Sequence, residues 1–191
     1  MNRFSKNLQL QAIFLDRDGV IVHNRTNYIR RWEDVRFYPS SLQALRLINH
    51  LPNRPKVFII TNQSAIGRGL ITIEQYKEID HKFHEVIIKH DGVVDQVYFC
   101  PHTPEENCDC RKPRPGMILK AANQFGIDLS NSILVGDAQS DIEAGFLAGI
   151  PYLFLVTTGR GKKQVNSILE LPYLNQVYFH NNLLEVIKTI F

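Results

Sequence analysis

Phe14-Leu15-Asp16-Arg17-Asp18-Gly19-Val20 is the stretch from which the fold is read. An apolar run over 12–15 ends abruptly on two acids and a glycine. A short strand without polar alternation is buried on both faces, as a parallel sheet covered by helices demands. In extended chain, residues i and i+2 point to the same side. Asp16 and Asp18 are therefore expected to face one site while Arg17 points away, and Gly19 permits the sharp turn that follows. Two such carboxylates can divide a job. One attacks an electrophile; the other trades a proton with the leaving group and then with water. Asp and Gly are also common turn formers, so a plain surface turn is the competing reading.

The rest of the chain sorts into alternating strands and helices. Strands are expected at 57–60, 97–99, 133–135, 152–156 and 177–179, where apolar residues run together. Helices are expected at 42–51, started by Pro39 and Ser40, and after the capping box Thr72/Gln75, with Tyr76, Ile79, Phe83, Val86 and Ile87 on one face. Further helices are expected at 117–125 after Pro115, at 142–147 before Gly149, and at 183–190. This alternation predicts an α/β fold: a Rossmann-like, doubly wound, mainly parallel sheet with ligands beyond the carboxyl ends of its strands. Polar groups stand at three of those ends: Asp16 with Asp18, then Thr61-Asn62-Gln63-Ser64, then Gly136-Asp137. That convergence turns the odds against the surface-turn reading.

Composition removes other classes. The 191 residues leave room for one domain with generous loops, and residues 1–191 are read as one unit. Hydrophobic residues at 44% and charged residues at 21% are those of a globular protein, not of a disordered or coiled-coil chain. No apolar run is long enough for a membrane span, and no apolar segment resembling a secretory signal precedes Asp16. A net charge of +3, with the basic residues scattered, lacks the concentrated basic face of a nucleic-acid binder. An anionic small substrate fits this balance as well as a polymer does, and no nucleic-acid or membrane partner is expected.

The loops after the other strands offer phosphate chemistry. Thr61 to Ser64 present hydroxyls, amides and N–H groups to phosphate oxygens, or form a polar connection into the next helix. Gly67-Arg68-Gly69 is a weak signal, since no Walker-type lysine follows. Arg111-Lys112 places two cations before a helix, or is a solvated charge pair. Asp16 and Asp137 together could hold Mg²⁺, a hard cation that takes oxygen ligands. Asp137 and Asp141 also suit the positive end of a helix.

All three cysteines lie within eleven residues, as Cys100-Pro101-His102 and Cys108-Asp109-Cys110. An odd, crowded set is a poor disulfide framework and points to a metal in a reducing compartment. Three thiolates and one imidazole fill a tetrahedral Zn²⁺ shell, so the site is expected to be closed and structural. His81 and His84 fall on a predicted helix and are expected at its surface.

Together, Phe14 to Val20, Thr61-Asn62-Gln63-Ser64, Cys100-Pro101-His102, Cys108-Asp109-Cys110-Arg111-Lys112-Pro113 and Val135-Gly136-Asp137 resemble the haloacid-dehalogenase-like (HAD) phosphatases. More narrowly, the chain is similar to the D-glycero-D-manno-heptose 1,7-bisphosphate 7-phosphatases, from about residue 12 to 161. Histidinol-phosphate phosphatases share the carboxylate pair, the zinc loop and Arg-Lys-Pro, and are the nearest rival. The resemblance implies a Mg²⁺-dependent phosphomonoesterase acting on a small phosphorylated sugar through an aspartyl-phosphate. Asp16 would be the nucleophile, and Asp18 the general acid and base with its carbonyl on Mg²⁺; Asp137 would complete the magnesium shell. Thr61 and Lys112 would steady the transferred phosphoryl group. Arg111, Lys112, Asn62, Gln63 and Ser64 would bind substrate. Cys100, His102, Cys108 and Cys110 would hold a structural Zn²⁺. In the flap at 23–28, Asn24, Asn27 and Tyr28 are further substrate-binding candidates.

The chain departs from that family's pattern at Val22, where a polar residue is usual, and at Ala65, where glycine is usual. Neither interval between motifs holds a separate lid domain, given that domains start near about 50 residues. Loops must shape the site. The expected protein is a cytoplasmic monomer. A phosphoacceptor signalling domain shares the clustered Asp, Thr and Lys, but needs no zinc loop and usually carries its acceptor on a middle strand. A zinc-stabilised nucleic-acid binder, such as a polynucleotide 3′-phosphatase, conflicts with the mild charge.

Overall fold

The computed structural model describes residues 9–191. The expectation that no secretory signal precedes Asp16 falls largely on residues 1–8, which lie outside the described residues. Six strands form one sheet: β1 Ala12–Leu15, β2 Lys56–Asn62, β3 Gln96–Cys100, β4 Ser132–Gly136, β5 Tyr152–Val156 and β6 Val177–His180. Every neighbouring pair is parallel, in the order β3-β2-β1-β4-β5-β6. The chain winds outward from β1 to β3, then restarts beside β1 with β4. A crevice opens where the winding reverses, outside the carboxyl ends of β1 and β4.

Among the described residues, seven α-helices flank the sheet: α1 Pro39–Asn49, α2 Ser64–Gly67, α3 Ile73–Lys89, α4 Gly116–Phe125, α5 Gln139–Leu147, α6 Gly161–Leu169 and α7 Leu183–Ile190. β1 shows why both faces must be covered. Ile13 and Leu15 pack with Leu45 and Ile48 of α1, Phe83 of α3 and Val186 of α7. Ala12 and Phe14 pack on the opposite face with Met117 of α4, Ile142 of α5 and Ile168 of α6. All four strand residues are fully buried. Phe14→Ala would cost about 3–5 kcal/mol by emptying that space.

The helix starts follow local chemistry. Thr72 Oγ1 accepts from Gln75 N–H at 3.2 Å, and Gln75 Oε1 accepts from Thr72 N–H at 2.8 Å, closing the expected capping box. The start of α5 is capped by Asp141, whose Oδ2 accepts from the N–H groups of Asp137 and Ala138. Between β1 and α1 the flap runs as loop with one short 3-10 turn, tied down where Val22 bridges Phe37. Among the described residues, no helix is long and apolar enough to cross a membrane.

Candidate active site

The ends of β1, β2 and β4, adjacent in the sheet, bring the expected groups to one place. One carboxylate oxygen each from Asp16, Asp137 and Asp141 lie within 4.8 Å of one another, all three residues buried. Lys112 enters between them although it is 96 positions from Asp16 in sequence. Its Nζ donates to Asp16 Oδ1 at 2.8 Å, to Ile60 O at 2.8 Å and to Asp141 Oδ1 at 2.7 Å. All three ammonium protons are used, so a buried cation is fully partnered.

Crowding sets the protonation of this cluster. Burial, with the repulsion of Asp141, Asp137 and Asp18, pushes the Asp16 carboxyl up to about 8, against the pull of Lys112. Burial and Asp141 push Asp137 up to about 6. Lys112 is held above the usual lysine range, since Asp141 and Asp16 outweigh its desolvation. Asp137 Oδ1 is fully buried and has no hydrogen-bond partner. Three acids, one of whose oxygens accepts no hydrogen bond and has Arg160 Nη2 at 3.7 Å, fit a hard divalent cation, which would add positive charge.

Glycine makes room for this arrangement. Gly19 has φ +100° and Gly159 φ +58°, a region that side chains rarely adopt. A Cβ at either would overlap Asp137 and Asn24. The loop after β5 closes over the cluster: Arg160 N–H donates to Asp137 Oδ2 at 2.7 Å, and Thr158 Oγ1 donates to Gly19 O at 2.6 Å. Nothing in the sequence marked this loop. The sequence does not nominate Arg160 or Asp141 as site residues, although Asp141 reads as a carboxylate near the strand end and helix start; Arg25 and Ser140, which also line the cleft, are not nominated either.

Asp18 stands at the mouth of the cluster. Its Oδ2 accepts from Gln63 Nε2 at 2.8 Å and from Arg17 Nη2 at 3.0 Å, with Thr61 Oγ1 at 3.5 Å. Gln63 Nε2 also donates to Thr61 Oγ1 at 2.8 Å. Arg17 thus departs from expectation. It points away from Asp16, but its guanidinium is buried and pairs with Asp18. The side chain is long enough to curl back beneath the loop, where α3 shields it from water.

Asn62 spends both ends of its amide on Lys112, donating to its carbonyl and accepting from its N–H, each at 3.1 Å. That clamp joins the end of β2 to the cysteine loop. In this loop the donor atoms of Cys100, His102, Cys108 and Cys110 all lie within 4.8 Å of one another. The contacts are Cys100 Sγ to Cys108 Sγ 3.5 Å, Cys108 Sγ to Cys110 Sγ 3.4 Å, and His102 Nδ1 to the sulfurs of Cys110 and Cys100 3.3 and 3.6 Å. A tetrahedron of about 2.3 Å bonds has edges of about 3.8 Å, so the four donors fit one small metal ion. Burial and its thiol neighbours raise the Cys100 thiol; Cys108 is desolvated too, but hydrogen bonds from Cys110 and Cys100 bring it down to about 7. Arg111 Nη1 donates to His102 O at 3.1 Å, fastening the loop beside the site.

These groups open into a cleft of about 320 Å³, lined by Asp18, Asn24, Gln63, Ser64, Arg111 and Arg160 among others. A wider groove of about 680 Å³ along the flap shares Asn24, Arg25 and Tyr28 with it and adds Asn27. Every sequence-nominated residue of the carboxylate site and flap therefore lies in, or directly behind, one continuous depression.

A parallel sheet in this order, with a DxD pair after β1, Thr at the end of β2, Lys before α4 and Asp after β4, defines a hydrolase of the HAD class. The family model described as HAD-hydrolase-like matches residues 109–185. Over 190 residues the chain is 38% identical to a D-glycero-alpha-D-manno-heptose-1,7-bisphosphate 7-phosphatase of Photorhabdus laumondii, covering 95% of this chain and 97% of that one. It is 40% identical over 148 residues to the beta-directed counterpart of Helicobacter pylori, covering 77% of this chain and 83% of that one. The chain belongs to the D-glycero-D-manno-heptose-1,7-bisphosphate 7-phosphatase family. A crystal structure of the D,D-heptose 1,7-bisphosphate phosphatase from B. bronchiseptica, complexed with magnesium and phosphate, superposes with a TM-score of 0.88 at 32% identity, covering 95% and 98% of the two chains.

Proposed function

We propose that the protein is a phosphomonoesterase that removes the C7 phosphate of D-glycero-D-manno-heptose 1,7-bisphosphate through an aspartyl-phosphate. One observation carries the reading: three buried carboxylates and Lys112 meet within hydrogen-bond or metal-bridging reach, with Asp18 beside them at the mouth.

Asp16 attacks phosphorus, and the bond from phosphorus to the sugar oxygen breaks. Asp18 gives its proton to that departing oxygen. Asp18, now a carboxylate, takes a proton from water as the water attacks the aspartyl-phosphate, releasing phosphate and restoring Asp16. Lys112 keeps the Asp16 carboxylate in place and offsets its charge, while Thr61 and Ser64 face the phosphoryl oxygens. Asn62 acts by holding Lys112, and Gln63 by holding Asp18. Arg111, Arg160 and the flap residues Asn24, Asn27 and Tyr28 line the cleft where the sugar would lie. Asp16, Asp137 and the Asp18 carbonyl would hold Mg²⁺, which when bound offsets the charge of the anionic substrate and nucleophile. Cys100, His102, Cys108 and Cys110 would hold Zn²⁺, which stiffens the loop that carries Arg111 and Lys112. The named residues meet within one copy of the chain, so the proposed chemistry needs no residue from a second copy. Three clustered thiols support a reducing compartment such as the cytoplasm.

The test is phosphate release, with Mg²⁺, from the α and β anomers of heptose 1,7-bisphosphate, from histidinol phosphate and from an aryl phosphate. At least about a tenfold higher kcat/KM, or 1.4 kcal/mol of transition-state binding, is expected for one heptose anomer. A preference for histidinol phosphate would overturn the substrate, and stoichiometric labelling without turnover would overturn the enzyme.

A further inference from the structure

Behind Asp18 lies a buried polar cluster that the mechanism above does not use. Arg17 is only 2% exposed. Its Nη2 bridges both Asp18 oxygens, at 3.0 Å to Oδ2 and 3.2 Å to Oδ1. Its Cζ lies 5.7 Å from the centre of the Tyr76 ring. Tyr76 and Asp80 are one turn apart on α3 and so share a face. The electrostatics couple both to Arg17. Asp80 is two-faced. Its Oδ2 meets His84 Nδ1 at 3.6 Å, while its Oδ1 is buried. Arg17 Nε, Tyr76 Oη and Asp80 Oδ1 are all buried without a hydrogen-bond partner in the protein. Burying a guanidinium with an idle N–H, beside an idle hydroxyl and carboxylate oxygen, costs stability that apolar residues would avoid.

The pattern at Asp18 shows what that cost can support. Oδ2 receives Gln63 and Arg17, whereas Oδ1 has only the longer Arg17 contact. An oxygen already facing two N–H donors cannot carry a proton of its own without donor–donor repulsion. We propose that Arg17 is a positioning residue: backed by Tyr76 and Asp80 of α3, it turns the Asp18 carboxyl so that Oδ1 delivers the proton to the departing sugar oxygen. This rests on the phosphomonoesterase reading. Arginine suits the post because its flat, branched cation can lie on a ring and reach a carboxylate at once.

Leaving-group chemistry separates positioning from packing. A sugar alkoxide needs the Asp18 proton to leave; p-nitrophenolate does not. kcat/KM covers only the steps through departure of the leaving group, so the later work of Asp18 on water is not counted. Arg17→Met is expected to lose about 100-fold in kcat/KM on the sugar phosphate and less than about fivefold on p-nitrophenyl phosphate. Asp80→Asn, which removes the rear charge in nearly the same shape, is expected to lose about tenfold on the sugar phosphate and less than about twofold on the aryl ester. Equal losses on both substrates, or no loss on either in a folded Arg17→Met, would overturn the proposal. Should thermal melts show Arg17→Met unfolded, Asp80→Asn decides by the same ratio. Wild-type protein that hydrolyses neither ester with Mg²⁺ would sink the phosphomonoesterase reading itself, and the proposal with it.

Discussion

The two ligand clusters of this protein are built in opposite ways. The cysteine–histidine cluster draws all four donors from residues 100–110, a stretch that can close on itself. The carboxylate cluster draws Asp16 from one end of the chain and Asp137 and Asp141 from 121 and 125 positions later (137 − 16 and 141 − 16). The first is a local knot within a single loop. The second exists only because β1 and β4 are neighbours in the sheet. Lys112 joins the two, two residues beyond Cys110 and in contact with Asp16.

The contrast is sharpest at Asp16. Asp16→Asn is expected to lower kcat by about 10⁴-fold or more while the thermal melt stays cooperative, because the proposed mechanism loses its nucleophile but the packing is kept. Activity in that variant would remove the nucleophile from Asp16. Asp141→Ala tests the bridge: Lys112 loses its shortest partner and α5 its cap. A fall of roughly 10–100-fold in kcat/KM is expected, the usual loss when a supporting partner is removed. Lys112 would matter less than argued if phosphate release were unchanged.

Cys108→Ser attacks the local knot. A loss of about 2–3 kcal/mol, or roughly 5–10 °C in Tm, is expected, together with fewer zinc equivalents per chain by atomic absorption. A melt identical to wild type would leave the cluster without a structural role.

The smallest effect concerns pH. Asp16 is raised to about 8 and Asp137 to about 6, both above the 3.8 of an unperturbed aspartate. A raised acid is stable in its protonated form, so the metal-free fold loses stability as pH climbs from about 4 through 8. A divalent ion needs the carboxylates ionised and offsets that loss. The gain in Tm on adding Mg²⁺ should therefore grow by a few degrees between pH 6 and 8.5. A gain that does not change with pH would mean that these acids do not bind the ion.

Much of this was legible in the chain. β1, β5 and α7 start and end where the apolar runs and caps place them, because fully buried strands and a strongly amphipathic helix leave little choice. The four donors of the cysteine loop were legible because they are close in sequence. α6 was not read at all. It opens on Gly161-Lys162-Lys163 and offers only Val165, Ile168 and Leu169 as apolar anchors, too few for a helical stripe to stand out. α2, at four residues, is shorter than any periodicity can register.

By itself the sequence determined that strands ending in acids and hydroxyls stack into a parallel sheet, and which cysteines and histidine gather. Those follow from hydrophobic period and short spacing, which act within a few residues. Only the tertiary structure decided that Asp141 and Arg160 join the site, that Asn62 serves Lys112, and that Arg17 turns inward to Asp18. Each is a contact across the crevice or beneath it, set by which strands lie side by side and by how far a long side chain reaches once water is excluded.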